Sequence, residues 1–158
     1  MAEPLADKII RKVKQLDEIY HRLLLVVAPS GAGKTTALLD VRDRTGAPLV
    51  NVNLELSRLM LDLTQRQRAL QLSRLLREIV EKDAGKMALL DNIELLFDVS
   101  LKQDPLRLLQ GLSRNKTVVA SWNGAIIDGF LTYAEPAHPE FRRYSVHDFL
   151  VASPETTA

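Results

Sequence analysis

The chain has 158 residues, a formal net charge of +1 and no cysteine. Its hydrophobic content of 46% and charged content of 26% are those of an ordinary globular domain. The lack of cysteine excludes disulfides, thiolate nucleophiles and cysteine-ligated metal centres. We therefore predict one domain over residues 1–158, and the small net charge lends no support to DNA contact.

The N-terminal segment predicts a helix that lies on the domain. Pro4 suits a first helical turn, and apolar residues recur behind it at helical spacing as far as Tyr20. We therefore predict an amphipathic helix over residues 1–21 and a disordered tail over residues 153–158. The N-terminus is charged where a signal peptide would be apolar, and no apolar run approaches the roughly 20 residues of a membrane span. We expect a cytoplasmic protein without membrane contact.

An apolar strand over Leu23–Val27 runs directly into a glycine-rich loop and a helix over Lys34–Arg44. This is the Walker A pattern, with Ala28 in place of its first glycine. The glycines let backbone N–H groups turn towards phosphate, and the helix N-terminus adds its dipole. The lysine supplies a charge for the β- and γ-phosphates, and the first threonine supplies a hydroxyl for Mg²⁺. The predicted ATP-binding residues are Pro29, Ser30, Gly31, Ala32, Gly33, Lys34, Thr35 and Thr36.

The middle of the chain predicts a second strand over Leu49–Asn53, a short helical turn over Ser57–Leu61 and a long helix over residues 64–83. The long helix is predicted to direct Leu70, Leu72, Leu75, Leu76, Ile79 and Val80 inwards. This region is locally basic, which leaves open a solvated face and a face that binds a partner or nucleic acid. The arginines concerned are Arg58, Arg66, Arg68, Arg74 and Arg77.

The third strand, Met87–Leu90, ends in Asp91, as a Walker B strand does. A brief helix over Ile93–Phe97 and a capped helix over residues 104–114 follow. The fourth strand, Thr117–Ser121, leads to a polar Asn123 and to a predicted turn at Asn123-Gly124. The end of the chain predicts a loop or small hairpin over residues 125–141, a fifth strand over Arg142–Val146 and a last helical turn over His147–Val151.

Strands that alternate with helices predict an α/β fold with three layers and a parallel sheet of about five strands. One strand and one helix separate the two Walker strands, which is typical of ASCE-type P-loop NTPases, either RecA-like or minimal AAA+-like. The chain ends soon after the fifth strand, so we expect no helical lid. The carboxyl ends of parallel strands meet at one edge, which should bring Asn53, Asp91 and residues 121–123 to the glycine-rich loop.

Hydrolysis needs a group that activates water, and the sequence leaves its identity open. Asn92 follows the Walker B carboxylate and cannot accept a proton. Glu55 lies beyond the second strand, as in RecA-like proteins, and is slightly favoured over Glu94. Ser121 and Asn123 are both candidates for sensing the terminal phosphate. The predicted catalytic set is Lys34, Asp91, Glu55, Glu94 and Asn123, with Thr35 and Asp91 holding Mg²⁺, Asp91 through water.

No arginine finger can be assigned within one chain from the sequence. Four arginines are candidates for insertion into a neighbouring site, which predicts a homo-oligomer or a complex with other proteins: Arg107, Arg114, Arg142 and Arg143. A Mg²⁺-dependent ATPase is the leading interpretation. A module that binds nucleotide with negligible hydrolysis is the alternative, and a small-molecule kinase is less favoured.

The chain resembles the BrxF family, small P-loop proteins of BREX (bacteriophage exclusion) defence systems. The resemblance covers nearly the whole chain and is carried by residues 51–57, 89–97, 102–109 and 131–136. It implies a bacterial cytoplasmic ATPase that restricts phage beside a DNA methyltransferase, a phosphatase-like protein and a large ATPase. By this similarity, Gly33, Lys34, Thr35 and Asp91 carry nucleotide binding.

Overall fold

The computed structural model describes residues 3–154. Three short 3₁₀ helices, Leu16–Glu18, Glu94–Phe97 and Val99–Leu101, connect its main elements. The α-helices of this range are Leu5–Val13 (α1), Lys34–Thr45 (α2), Val52–Leu59 (α3), Gln65–Glu81 (α4) and Pro105–Leu112 (α5). Its strands are Leu23–Ala28 (β1), Leu49–Asn51 (β2), Met87–Asp91 (β3), Thr117–Ile127 (β4), Phe130–Tyr133 (β5), Arg142–Ser145 (β6) and Leu150–Ala152 (β7).

Five of the strands form a parallel sheet in the order β2-β3-β4-β1-β7. The predicted α/β fold with a parallel sheet is therefore confirmed. Strand β4 lies between β1 and β3, so the two strands that carry the Walker-type sequences are not adjacent. Their carboxyl ends nevertheless meet at the same edge, because all five strands run in the same direction.

Helices cover both faces of the sheet, in agreement with a three-layer core. Leu24 and Val26 of β1 pack in a cluster with α1 and α2, while Leu25 and Val27 pack in a cluster with α3, α4 and α5. This alternation follows from the two-residue period of a strand. Every residue of β1 is buried, as predicted for a central strand covered on both sides.

A strand forms over Arg142–Ser145 as predicted, but its predicted place as the fifth strand of the parallel sheet is wrong, and so is the last helical turn. The fifth parallel strand is β7, whose Leu150 and Val151 pair with Leu24 and Leu25 of β1, and no helix forms over His147–Val151. Residues 142–145 instead form β6, which pairs antiparallel with β5. The apolar Leu150–Ala152 segment fits beside a buried strand, whereas residues 142–145 alternate between half-buried and exposed positions.

The predicted turn at Asn123-Gly124 is also wrong, because β4 continues through both residues to Ile127. The chain reverses at Asp128-Gly129, where φ is 52° and 81°. Two consecutive residues with positive φ are what a two-residue hairpin turn of type I′ requires. Strands β4, β5 and β6 thus form an antiparallel extension of the parallel sheet.

Several predicted helix limits change for reasons visible in the capping groups. Strand β2 ends at Asn51, because its side chain accepts a hydrogen bond from the Leu54 N–H and begins α3 there. The separate turn predicted over Ser57–Leu61 is therefore replaced by a helix that starts five residues earlier. Helix α4 begins after Thr64, which forms a reciprocal capping box with Gln67.

The N-terminal helix and the long helix differ from prediction in one further respect each. Helix α1 ends at Val13 rather than at residue 21, and the 3₁₀ turn at Leu16 directs the chain into β1. Tyr20 is accordingly 60% exposed. On α4, Leu70 is 74% exposed because it lies two residues, or 200° of helical rotation, from the buried Leu72.

Within residues 3–154, no helix combines the length and the apolar character needed to cross a bilayer. Of the tail predicted to be disordered, residues 155–158 lie outside the described residues, as do residues 1–2 at the other end. Ser153 is described, and its carbonyl oxygen accepts a hydrogen bond from the Lys8 ammonium at 2.7 Å.

Candidate functional site

The loop between β1 and α2, residues 29–33, is here called the glycine loop. Gly31 and Gly33 have φ values of 82° and 91°, which side-chain-bearing residues rarely adopt. Gly33 is also the N-cap of α2, so the N-terminal backbone N–H groups of that helix begin directly at the loop. A run of backbone N–H groups in such a turn, followed by a helix N-terminus, is an anion-binding geometry.

Lys34 lies against the glycine loop from inside. Its side chain is only 6% exposed, and its ammonium donates hydrogen bonds of 2.8 Å to the carbonyl oxygens of Ala28 and Pro29. Burial lowers the pKa of Lys34, and the nearby carboxylates of Asp91 and Glu94 act in the opposite direction. The cation is therefore held at the loop by neutral carbonyls, with no direct carboxylate bond among the described residues.

Asp91 connects three elements at the end of β3. Its Oδ2 accepts a hydrogen bond from the Thr35 hydroxyl at 2.7 Å, and its Oδ1 accepts one from the Ser121 hydroxyl at 2.7 Å. The Asn92 N–H donates to Oδ1 at 3.0 Å. The start of α2 behind the glycine loop, the end of β3 and Ser121 of β4 thus meet at one edge of the sheet, as the sequence predicted.

The oxygen atoms of Asp91 and Thr35 suit Mg²⁺, which takes most of its ligands from water and substrate, and are too few for a metal whose ligands all come from the protein. No cluster of three or more His, Cys, Asp or Glu side chains suited to a metal occurs within residues 3–154. The carboxylate of Asp91 and the hydroxyl of Thr35 are adjacent oxygen ligands. Mg²⁺ is typically bound by one or two protein groups, with water and substrate phosphates as its other ligands.

Glu94 is held at the same edge by two asparagine side chains. Its Oε1 accepts a hydrogen bond from the Asn123 amide at 2.9 Å, and its Oε2 accepts one from the Asn53 amide at 3.4 Å. The side-chain Oδ1 of Asn53 in turn accepts a hydrogen bond from the Leu95 N–H at 2.8 Å. These bonds fix the carboxylate between Asn123 of β4 and the first turn of α3.

These groups surround a cavity of about 290 Å³, here called the loop cavity. It brings together most of the residues predicted to bind nucleotide or to act in catalysis. Ala32 does not line it, and Pro29 lines the neighbouring cavity described below. The loop cavity is lined by Ser30, Gly31, Gly33, Lys34, Thr35, Thr36, Asp91, Asn92, Glu94 and Asn123.

Glu55, the slightly favoured catalytic base, is not brought to the loop cavity. Its side chain is 42% exposed, lies 3.5 Å from the Arg58 guanidinium and lines a separate groove beside Glu78. The cause is the early start of α3. Asn53 and Glu55 are 200° apart around this helix, so Asn53 faces Glu94 and Glu55 faces away.

The role of Asn53 as a partner of Glu94 was not predicted, although its position at this edge was. The sequence signal for it was available in Asn51, which is a preferred N-cap residue. A helix that begins at residue 52 turns Asn53, and not Glu55, towards the end of β3. Asn92 lies beside these groups with a φ of 52°, and its carbonyl oxygen accepts the Asn53 N–H.

The four candidate finger arginines lie in different surroundings. Arg107 is 86% exposed and 3.8 Å from Asp104. Arg114 donates to the Tyr20 hydroxyl, and Arg142 donates to the carbonyl oxygen of Gln103. Arg143 lies over the Phe130 ring, 3.6 Å from its centre.

Arg143 also lines a second cavity of about 440 Å³, here called the hairpin cavity, which adjoins the glycine loop at Pro29 and Ser30. Of the four arginines, it is the one that lines a cavity next to this loop.

Comparisons of the chain with protein-family models, with curated proteins and with solved structures found no match. The geometry of the loop cavity is therefore the observation on which a function can be based.

Proposed function

We propose that this protein is a Mg²⁺-dependent ATPase with a P-loop NTPase core of the ASCE type. The observation that carries the proposal is the 2.7 Å hydrogen bond between Thr35 Oγ1 and Asp91 Oδ2, directly beside the glycine loop. It joins the metal-binding groups of the two Walker-type sequences. The position of β4 between β1 and β3 supports the ASCE type.

The phosphates bind to the backbone N–H groups of the glycine loop and of the first turn of α2. Lys34 exchanges the carbonyl oxygens of Ala28 and Pro29 for phosphate oxygens, which makes its hydrogen bonds charge-assisted on both sides. Thr35 would ligate Mg²⁺ directly, and Asp91 would hold it through water. Bound Mg²⁺ neutralises charge that develops on the β- and γ-phosphate oxygens.

Glu94 is the general base of this proposal, with Asn123 as the group that orients water and the terminal phosphate. A water oxygen bonds to the γ-phosphorus while the bond to the β,γ-bridging oxygen breaks. ADP keeps that electron pair, and the proton of the water passes to Glu94. Both side chains line the loop cavity, and their 2.9 Å hydrogen bond fixes the carboxylate in position.

The alternative is a module that binds nucleotide and releases phosphate negligibly. Two observations favour it. Both carboxylate oxygens of Glu94 already accept amide hydrogen bonds, which leaves fewer acceptor positions for a water. The residue after Asp91 is Asn92, which cannot take up a proton.

The biological part of the proposal rests on the resemblance to the BrxF family. The protein acts in the bacterial cytoplasm, as an oligomer or with the methyltransferase, phosphatase-like protein and large ATPase of a BREX system. Co-expression with each of these proteins, followed by affinity purification with and without Mg·ATP, tests this part. Failure of all three to associate in either nucleotide state contradicts it.

Calorimetry with Mg·ATP and a phosphate-release assay test the biochemical proposal. We expect one nucleotide per chain for the parent protein and loss of binding for Lys34→Ala. Asp91→Asn should retain binding in the absence of Mg²⁺ and lose the gain in affinity that Mg²⁺ provides. Binding without phosphate release supports the alternative module. No heat of binding in well-folded parent protein contradicts both functions.

A further inference from the structure

The hairpin cavity and the loop cavity are neighbours that share Ser30 and Asn123 in their linings. One face of the antiparallel extension forms a wall of the hairpin cavity. Ala125, Thr132 and Arg143 lie side by side on that face, because Ala125 pairs with Thr132 and Thr132 pairs with Arg143. The wall therefore leads from Asn123, within β4, outwards to β6.

The hairpin cavity opens at the terminal-phosphate end of the proposed nucleotide site. The proposed function assigns Asn123 and Glu94 to the terminal phosphate and its attacking water, whereas Thr36 lies on α2, after the proposed metal ligand Thr35. The residues shared with the hairpin cavity are Ser30 and Asn123, and Thr36 is absent from its lining. A group that approaches from the hairpin cavity consequently meets the γ-phosphate.

The loop cavity is poor in positive charge for a triphosphate. Lys34 is the cation in its lining, whereas Asp91 and Glu94 are carboxylates. Charge spreads over the equatorial oxygens of the transferred phosphoryl group, and a second protein cation is a common way to stabilise it. Arg143 is the cation in the lining of the hairpin cavity.

Arg143 is available for such a role. It is exposed, and within residues 3–154 its guanidinium contacts the Phe130 ring without a carboxylate partner. Cation–π contacts at exposed positions are weak, so phosphate can displace this one. From the strand register and spacings of about 4.8 Å between strands and 3.4 Å between residues, its Cα lies about 12 Å from that of Asn123. An extended arginine and a phosphate bound beside Asn123 together span this distance.

We infer that Arg143 is a catalytic residue that leaves Phe130 and binds the terminal phosphate of a nucleotide held by its own chain. The inference rests on the proposed nucleotide-binding function and deepens it. It differs from an arginine finger inserted by a neighbouring subunit, because the residue and the glycine loop that it serves belong to one chain. The antiparallel extension formed by β4, β5 and β6 is then part of the active site.

The first test measures the affinity of the parent protein and of Arg143→Ala for Mg·ADP, with and without aluminium fluoride, which mimics the transferred phosphoryl group. We expect aluminium fluoride to tighten binding at least 100-fold in the parent and less than 10-fold in the variant, with similar Mg·ADP affinities. Arg66→Ala is the matched control and should behave as the parent, because Arg66 is exposed and lines neither cavity. Circular dichroism and Trp122 fluorescence verify folding of each variant.

The outcomes separate the inference from the proposed function. A parent that binds no nucleotide contradicts both. A parent that binds Mg·ADP without gain from aluminium fluoride contradicts the inference alone, as does an Arg143→Ala variant that keeps the gain. Where phosphate release is measurable, kcat should fall at least 100-fold in Arg143→Ala with KM changed less than threefold. Recovery of the rate on mixing Lys34→Ala with Arg143→Ala would assign the arginine to a neighbouring chain and contradict the inference.

Discussion

Replacement of Gly124 by alanine should destabilise the protein strongly. A Cβ atom at this position would lie 1.9 Å from the carbonyl oxygen of Thr132 and 2.9 Å from the indole nitrogen of Trp122. These two atoms share a buried hydrogen bond of 3.0 Å that attaches β5 to β4 beside Asn123. Overpacking costs about 1–3 kcal/mol, and a buried donor without a partner costs about 1–3 kcal/mol more. We therefore expect Gly124→Ala to lower the free energy of unfolding by about 2–6 kcal/mol.

Urea denaturation followed by tryptophan fluorescence measures this loss, since Trp122 is the single tryptophan of the chain and is fully buried. Gly111→Ala is the matched control. Gly111 lies within α5, and outside its own helix nothing lies within 4 Å of an added Cβ. The control should gain about 0.5 kcal/mol, because alanine restricts the unfolded chain. If Gly124→Ala unfolds within about 0.5 kcal/mol of the parent, the contact between β4 and β5 described here is incorrect.

Three further predictions concern the candidate site and two sets of structural hydrogen bonds. Glu94→Gln should abolish phosphate release in a steady-state assay while nucleotide binding persists. Glu55→Gln should release phosphate like the parent, because Glu55 faces away from the loop cavity. The reverse result would make Glu55 the proposed base. Thr64→Ala should lower the free energy of unfolding by about 1 kcal/mol through loss of the capping box, and an unchanged urea midpoint would contradict this. Tyr144→Phe should cost about 1 kcal/mol in the same measurement, since its hydroxyl donates to Asp104 at 2.9 Å, and a more stable variant would show that this bond contributes nothing.

The candidate site was predictable where its signal is local. Strand β1, the glycine loop and α2 follow from a contiguous segment, because two positive φ values demand glycine and the helix begins within a residue of them. The position of Asp91 at this edge was likewise predicted, from the apolar strand that precedes it. Since parallel strands end at one edge, their meeting with Ser121 and Asn123 followed from the strand assignments alone.

Which glutamate faces the loop cavity was not predictable to the same degree, because the direction of its side chain depends on helix phase. A strand over residues 49–53 would have directed Glu55 to the sheet edge. Helix α3 begins at Val52 instead, and a shift of two residues in this limit reverses which side chain faces Glu94. The Asn51 cap explains why α3 begins at Val52. Whether this cap prevails over a longer β2 depends on the pairing of β2 with β3, which the local sequence does not describe.

The sequence by itself determined the glycine loop, the alternation of helices and strands as far as β4, and the parallel character of the central sheet, because each follows from local patterns along the chain. Only the tertiary structure decided which segment completes the sheet and where Arg143 lies. Pairing of β7 with β1 joins residues more than 120 positions apart, and the hairpin brings β6 towards the glycine loop through two antiparallel pairings. Such long-range pairing is selected by packing against neighbours that no local pattern describes.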